Sequence, residues 1–335
     1  MVDKEHDSHS RGPTHRFIET NGIRMHLAEQ GEGPLVLLCH GFPESWYSWR
    51  HQLSALAAAG FRAVALDMRG YGQTDRPEAI DQYTLLHLLG DMVGVLDALG
   101  QETAVIVGHD WGASVAWHAA LLRPDRFRAV IGLSVPFIPR SPDYPSKNYP
   151  ETDDTVFYQS YFQSPGVAEA DLEHDVRFTM RAFLCQDSGD ALRPAIKSEQ
   201  VGHVFMVPRK GGMMADWVNP TSLPSWLTEA DIEIYADQFK QTGYRGGLNW
   251  YRNIDRNWEL MAPFAGLNIT VPALLIVGDR DPVLAFRGMD QVIASLPKNV
   301  PKLQKTRFLP GCGHWTQQER PQEVNEAMIE FLRRL

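Results

Sequence analysis

Short apolar runs recur along the chain, each ending in or beside Gly, Asp, His or Pro. They are Leu35–Cys39, Arg62–Asp67, Thr103–Val107 and Ala129–Ser134, and the pattern resumes at Ala273–Val277 and Thr306–Leu309. Runs apolar at successive positions predict strands buried on both faces. Ahead of them, Arg16–Thr20 and Ile23–Glu29 predict two strands joined at Asn21-Gly22, a pair that tolerates the positive φ of a tight hairpin. Leu85–Leu99 and Ala113–Leu122 repeat at helical spacing, and Val324, Ala327, Met328, Phe331 and Leu335 predict a closing amphipathic helix. Strand alternating with helix implies an α/β fold, a mostly parallel sheet flanked by helices.

The alternation fails from about Phe137 to Ala262, where the chain turns Pro-, aromatic- and charge-rich, with helical fragments and no clear buried strands. An insertion after the fourth buried run, followed by a return to the sheet, predicts a helical cap on a catalytic core. The expected organisation is a disordered tail over 1–15, a core built from 16–136 and 263–335, and a cap over 137–262.

At 335 residues, with 44% hydrophobic and 22% charged positions, the chain can bury a continuous core and is not globally disordered. A formal charge of -9 disfavours nucleic acid, whose phosphates need a basic surface. Cys39, Cys185 and Cys312 are too few and too dispersed for a disulfide framework, and free thiols suit a reducing compartment. The polar first 14 residues show no secretory signal, and no run approaches the ~20 apolar residues of a membrane span. The expectation is a cytoplasmic protein, monomer or homodimer.

The segment Val107-Gly108-His109-Asp110-Trp111-Gly112-Ala113 follows a buried strand and precedes a helix. Its Gly-x-nucleophile-x-Gly form resembles the nucleophile elbow of α/β hydrolases, with Asp110 standing where serine is usual. A carboxylate is already ionised at neutral pH and needs no base to attack. It displaces a leaving group at a saturated carbon to give an enzyme ester, whereas attack on a carbonyl would give an anhydride that favours reversal. Epoxides or alkyl halides fit; peptides and carboxylic esters do not. The bland alternative for Asp110 is a helix N-cap, which leaves both glycines unexplained.

Gly311-Cys312-Gly313-His314-Trp315 follows the last strand run, and the chain order nucleophile, acid, base makes His314 the candidate general base. Cys312 beside it reads as a small buried residue. The acid that orients His314 lies in Val277-Gly278-Asp279-Arg280-Asp281-Pro282; Asp281 is favoured, with Asp279 the alternative as a turn cap or a partner of Arg280. Ser134-Val135-Pro136-Phe137, the other place where this fold carries its acid, holds no carboxylate. His40-Gly41-Phe42-Pro43 occupies the position of the oxyanion loop. The amides of Phe42 and Trp111 are its candidate donors, Pro43 fixes the turn, and His40 braces the loop. No ligand-spaced cluster calls for a metal, and the chemistry needs no cofactor.

With these residues assembled, the chain resembles the soluble epoxide hydrolases of the α/β-hydrolase superfamily. The likeness is carried by His40-Gly41-Phe42-Pro43-Glu44-Ser45-Trp46-Tyr47-Ser48-Trp49, Gly108-His109-Asp110-Trp111-Gly112 and Gly313-His314-Trp315. Two cap segments add to it, Phe157-Tyr158-Gln159-Ser160-Tyr161-Phe162-Gln163 and Leu248-Asn249-Trp250-Tyr251-Arg252-Asn253. By position the resemblance implies Tyr158 and Tyr251, not Tyr161 or Tyr244, as paired lid acids. It further implies that Glu44 and His109 organise the hydrolytic water, although a surface Glu44 and a buried spacer His109 are equally open. The fused N-terminal phosphatase domain of some animal relatives is not expected here. The implied partners are a small apolar epoxide and water. Phe42, Trp111, Phe162, Phe183 and Met213 are candidates for the substrate lining. Two rivals remain: a dehalogenase with the same nucleophile, whose halide needs no proton and so no tyrosine pair, and a non-catalytic receptor on the same fold.

Overall fold

The computed structural model describes residues 12–191 and 205–335. Residues 1–11 of the expected tail and 192–204 of the expected cap lie outside the described residues. Strand β1 (Thr14–Thr20) starts ahead of the expected Arg16 and pairs antiparallel with β2 (Ile23–Gln30). Asn21 and Gly22 turn between them at φ 45° and 77°.

The remaining core strands are β3 (Leu35–Cys39), β4 (Arg62–Leu66), β5 (Ala104–His109) and β6 (Phe127–Leu133). Two short strands follow, β7 (Thr155–Phe157) and β8 (Met206–Pro208), then β9 (Ala273–Gly278) and β10 (Leu303–Leu309). The 8-stranded sheet has the order β1-β2-β4-β3-β5-β6-β9-β10. β2 meets β4 antiparallel, and every pairing from β4 through to β10 is parallel.

Side chains alternate across the pleat and divide the core in two. Leu35, Leu37, Val64, Leu66, Ile106, Leu275 and Val277 pack on the face covered by α2 (Leu85–Ala98) and α3 (Trp111–Leu122). Val36, Leu38, Ala63, Ala65, Val105, Val107, Ile131 and Ile276 face the other way, against α1 (Arg50–Ala58) and the C-terminal helix. That helix runs Pro321–Leu332 and buries Val324, Ala327, Met328, Phe331 and Leu332. Leu335, expected on its apolar face, lies beyond the helix end and is exposed.

Between β6 and β9 lie α4 (Tyr158–Tyr161), α5 (Val167–Leu172), α6 (Val176–Gln186), α7 (Glu229–Thr242), α8 (Arg245–Arg252) and α9 (Ile254–Leu260). This region is not purely helical: β7 and β8 pair antiparallel, with Phe157 opposite Met206. Three-residue strands carry too little alternation to be read from sequence. After β9 come α10 (Met289–Asn299) and α11 (Thr316–Glu319), with the C-terminal helix as α12. Among the described residues no helix is long and apolar enough to cross a membrane.

Candidate active site

Close packing forces the turn that presents Asp110. A Cβ on Gly108 would sit 2.0 Å from the Gly112 carbonyl oxygen, and one on Gly112 would sit 2.1 Å from that of Cys39. Any larger residue would push β5, α3 and β3 apart. The turn holds Asp110 at φ 53° and ψ -121°, a conformation L-residues seldom adopt, and places the residue on the wall of a cavity. Such strain persists only where the surroundings over-determine it.

The Phe42 amide donates to Asp110 Oδ1 at 2.9 Å. The peptide bond from Phe42 to Pro43 is cis. His40 braces this loop from below: its Nδ1 donates to the Gly41 carbonyl at 2.8 Å, and its Nε2 accepts from the Met68 amide at 3.0 Å. Burial raises the Asp110 pKa, while the charges of His314 and His109 and the amides of Phe42 and Trp111 pull it back; the net shift is upward.

His314 stands between two carboxylates. Its Nε2 is 3.6 Å from Asp110 Oδ2, and its Nδ1 lies 3.1 and 3.3 Å from the two oxygens of Asp281. Burial alone would lower the imidazole pKa, but the charge and hydrogen bond of Asp281, with the charge of Asp110, raise it to about 10. Asp281 moves down, its burial outweighed by His314, Ser134 and the Val283 amide. Asp279 does not reach the histidine; its Oδ1 accepts from the Gly311 amide at 2.7 Å, closing the turn that precedes Cys312. Cys312 is buried, and that burial raises its thiol pKa.

Glu44 and His109 lie behind Asp110, fully buried. Glu44 Oε2 accepts from His109 Nδ1 at 2.7 Å and from the Gly41 amide at 3.1 Å, and Oε1 accepts from Gln317 Nε2 at 3.0 Å. His109 Nε2 meets the His314 carbonyl at 2.7 Å. This chain ties the 40–43 loop to the loop that carries His314. Burial would raise the Glu44 pKa, but His109, His40 and the Gly41 amide bring it down to about 2.

Over Asp110 lies a cavity of about 990 Å³, whose walls include Trp111, Phe137, Tyr158, Tyr251, Met261 and Phe286. The Tyr158 and Tyr251 rings meet edge to face at 5.8 Å. Tyr158 Oη accepts from Gln159 Nε2 at 2.9 Å. Burial moves both phenol pKa values above their ordinary range. Tyr161 instead bonds Asp171, and Tyr244 stacks on Phe239. Phe42, Phe162, Phe183 and Met213 do not form this wall. The Phe42 ring packs among Phe162, Phe183 and Tyr251 in the core behind it, and Met213 is buried in the same cluster.

Sequence reasoning passed over two residues here. Ser134, at the end of β6, bonds both Asp281 and His314. Its segment carries no carboxylate, and a hydroxyl gives no comparable signal in sequence. Glu319 accepts from the amides of Gly189 at 2.8 Å, Gly313 at 3.0 Å and Trp315 at 3.0 Å, and His314 donates its own amide to the Asp187 carbonyl at 2.8 Å. The segment after α6 is thereby pinned to the histidine loop. Among the described residues no three His, Cys, Asp or Glu side chains are grouped as metal ligands.

A parallel sheet, a carboxylate on the elbow after β5 and a histidine after the last strand define an α/β hydrolase, and the family described as alpha/beta hydrolase fold matches residues 34–321. Epoxide hydrolase A of Mycobacterium tuberculosis (strain ATCC 25618 / H37Rv) is 45% identical over 326 residues, spanning 96% of this chain and 97% of that protein. Epoxide hydrolase 3 of Siraitia grosvenorii is 46% identical over 322 residues, spanning 95% and 98%. A solved structure of an epoxide hydrolase from an endophytic Streptomyces superposes with a TM-score of 0.91 at 48% identity, covering 97% of this chain and 96% of that one. The chain belongs to the epoxide hydrolases of the α/β-hydrolase superfamily.

Proposed function

We propose that the protein hydrolyses apolar epoxides to vicinal diols through an ester on Asp110, with the insertion over 137–262 serving as the lid. One observation carries this reading: a carboxylate nucleophile and two phenols, Tyr158 and Tyr251, border the same cavity. An opening epoxide generates a basic alkoxide that needs hydrogen bonds and a proton, and phenols supply both. A halide leaves without a proton, so the phenol pair favours the epoxide over the alkyl halide.

In the first half-reaction Asp110 attacks a ring carbon, the C–O bond opposite breaks, and one tyrosine protonates the departing oxygen. Ester formation removes the Asp110 charge, which weakens the hold on the His314 proton; its release balances the proton the tyrosine gave. Neutral His314, oriented by Asp281, then takes a proton from water as its oxygen attacks the Asp110 carbonyl carbon. The Phe42 and Trp111 amides stabilise the oxyanion. Collapse breaks the ester bond, the diol oxygen takes the proton from His314, and the acid form of Asp110 returns its proton to the imidazole.

The test is turnover of styrene oxide with mass spectrometry of the Asp110 peptide. Wild type should release diol, Asp110→Ala should release none, and His314→Gln should accumulate the adduct on Asp110. Diol release by Asp110→Ala at the wild-type rate would sink the scheme. Halide release from alkyl halides without diol from epoxides would favour a dehalogenase, and tight binding without turnover a receptor.

A further inference from the structure

Ser134 directly follows β6, fully buried, its backbone at φ 70°. Its amide donates to the Ile276 carbonyl on the neighbouring strand at 2.8 Å, which fixes the residue against β9 just ahead of Asp281. From there its Oγ donates to Asp281 Oδ2 at 2.5 Å and stands 2.9 Å from His314 Nδ1. The direct contacts between His314 Nδ1 and Asp281 are longer, 3.1 and 3.3 Å. The hydroxyl is therefore the shorter link between acid and base.

We infer that Ser134 is a positioning residue for ester hydrolysis, holding Asp281 and His314 in register through one hydroxyl that donates to the first and accepts from the second. A hydroxyl has one proton, and Asp281, an acceptor only, takes it. The oxygen lone pairs are then left facing His314 Nδ1–H. This fixes the proton on Nδ1 and leaves Nε2, the nitrogen facing Asp110, free to act as the base. As Nε2 takes a proton from water, the imidazolium charge meets a lone pair already polarised by the Asp281 carboxylate. Ring opening by Asp110 uses no base, so Ser134 serves the second half-reaction.

The inference rests on the ester mechanism proposed above, and the experiment separates the two. Single-turnover reactions with styrene oxide, quenched and read by mass spectrometry of the Asp110 peptide, give the rates of ester formation and decay separately. Two variants remove the hydroxyl: Ser134→Ala keeps a Cβ, and Ser134→Gly suits the positive φ and remains usable should the alanine form fail to fold. Both should form ester at the wild-type rate and hydrolyse it about tenfold to a hundredfold more slowly, the range for hydrogen bonds to charged groups. In an Asp281→Asn background Ser134→Ala should add little, because the hydroxyl acts through that carboxylate. Ester decay at the wild-type rate in both variants would overturn the inference. So would slow decay in Ser134→Ala with normal decay in Ser134→Gly, which would assign the effect to the backbone. Absence of an Asp110 adduct in a parallel His314→Gln sample would instead remove the ester mechanism itself.

Discussion

Nε2 of His314 lies 3.6 Å from Oδ2 of Asp110, which in the proposed cycle ion-pairs the base of one half-reaction with the nucleophile of the other. The imidazole, its pKa raised to about 10, is protonated at neutral pH in the free enzyme. In the proposed cycle its conversion into a base follows from esterification of its partner. Asp110→Asn, which mimics the loss of that charge, should lower the His314 pKa, as read by NMR titration of the ring; an unchanged titration would separate the two groups electrostatically.

The same proton has a consequence for stability. A histidine whose folded pKa exceeds its reference of 6.5 contributes stability that is fully present below 6.5 and is lost as pH rises toward about 10. Wild type should therefore lose denaturation free energy across that window, and Asp110→Asn should lose less. Urea melts at either side of the window measure both slopes.

The two phenols should act on ring opening alone. Tyr158→Phe and Tyr251→Phe should each slow ester formation by about a hundredfold, the low end for a positioned general acid, and leave hydrolysis of preformed ester unchanged. Gln159 donates to Tyr158 Oη, which directs the phenol proton elsewhere and favours the phenolate formed as it leaves. Gln159→Leu should slow ester formation further in a Tyr251→Phe background and not in a Tyr158→Phe one. Equal losses in both would detach Gln159 from the proton donor.

Glu44 should report in acid. Its folded pKa of about 2 lies below the reference of 4.5, so its contribution is present above 4.5 and is lost as pH falls through about 2. The shift corresponds to about 3 kcal/mol. Glu44→Gln should unfold at a lower urea concentration at neutral pH, with the gap to wild type narrowing under acid. A gap constant with pH would assign the effect to packing.

Gly112→Ala should destabilise by about 3 kcal/mol or more, because its Cβ would meet the Cys39 backbone oxygen at 2.1 Å and a strand cannot move aside as a side chain can. Gly12→Ala, with nothing within 4 Å, is the matched control and should leave Tm unchanged.

The elbow was legible because its geometry is a local demand: Gly108 and Gly112 are written into five consecutive residues. The central strands were legible because both faces are buried. β10, at the sheet edge, starts three residues ahead of the apolar run, since Gln304 and Lys305 are polar and both exposed and extend no continuous apolar run. The favoured acid, Asp281, is the carboxylate that reaches His314, but only three-dimensional contact distinguishes it from Asp279 two residues earlier. Ser134 and Glu319 were invisible for a related reason. Each owes its place to partners far along the chain, 147 residues away for Ser134 and Asp281 and 130 for Glu319 and Gly189, and neither residue type marks such a partnership.

Glu319 grips the backbone on both sides of the active-site seam, at Gly189 and at Gly313 and Trp315. A Cβ on Gly313 would meet the Asp187 carbonyl oxygen at 2.3 Å, so the two segments touch main chain to main chain. Room to remodel the cavity wall is thereby left on one side of the insertion. Around 137–150, ahead of Tyr158, the wall lies outside the Glu319 clamp and can change in length and shape. At 187–189 an insertion of even one residue would unseat His314. Efforts to widen the cavity by remodelling the insertion have a free margin and a fixed one, and the boundary between them is a single carboxylate.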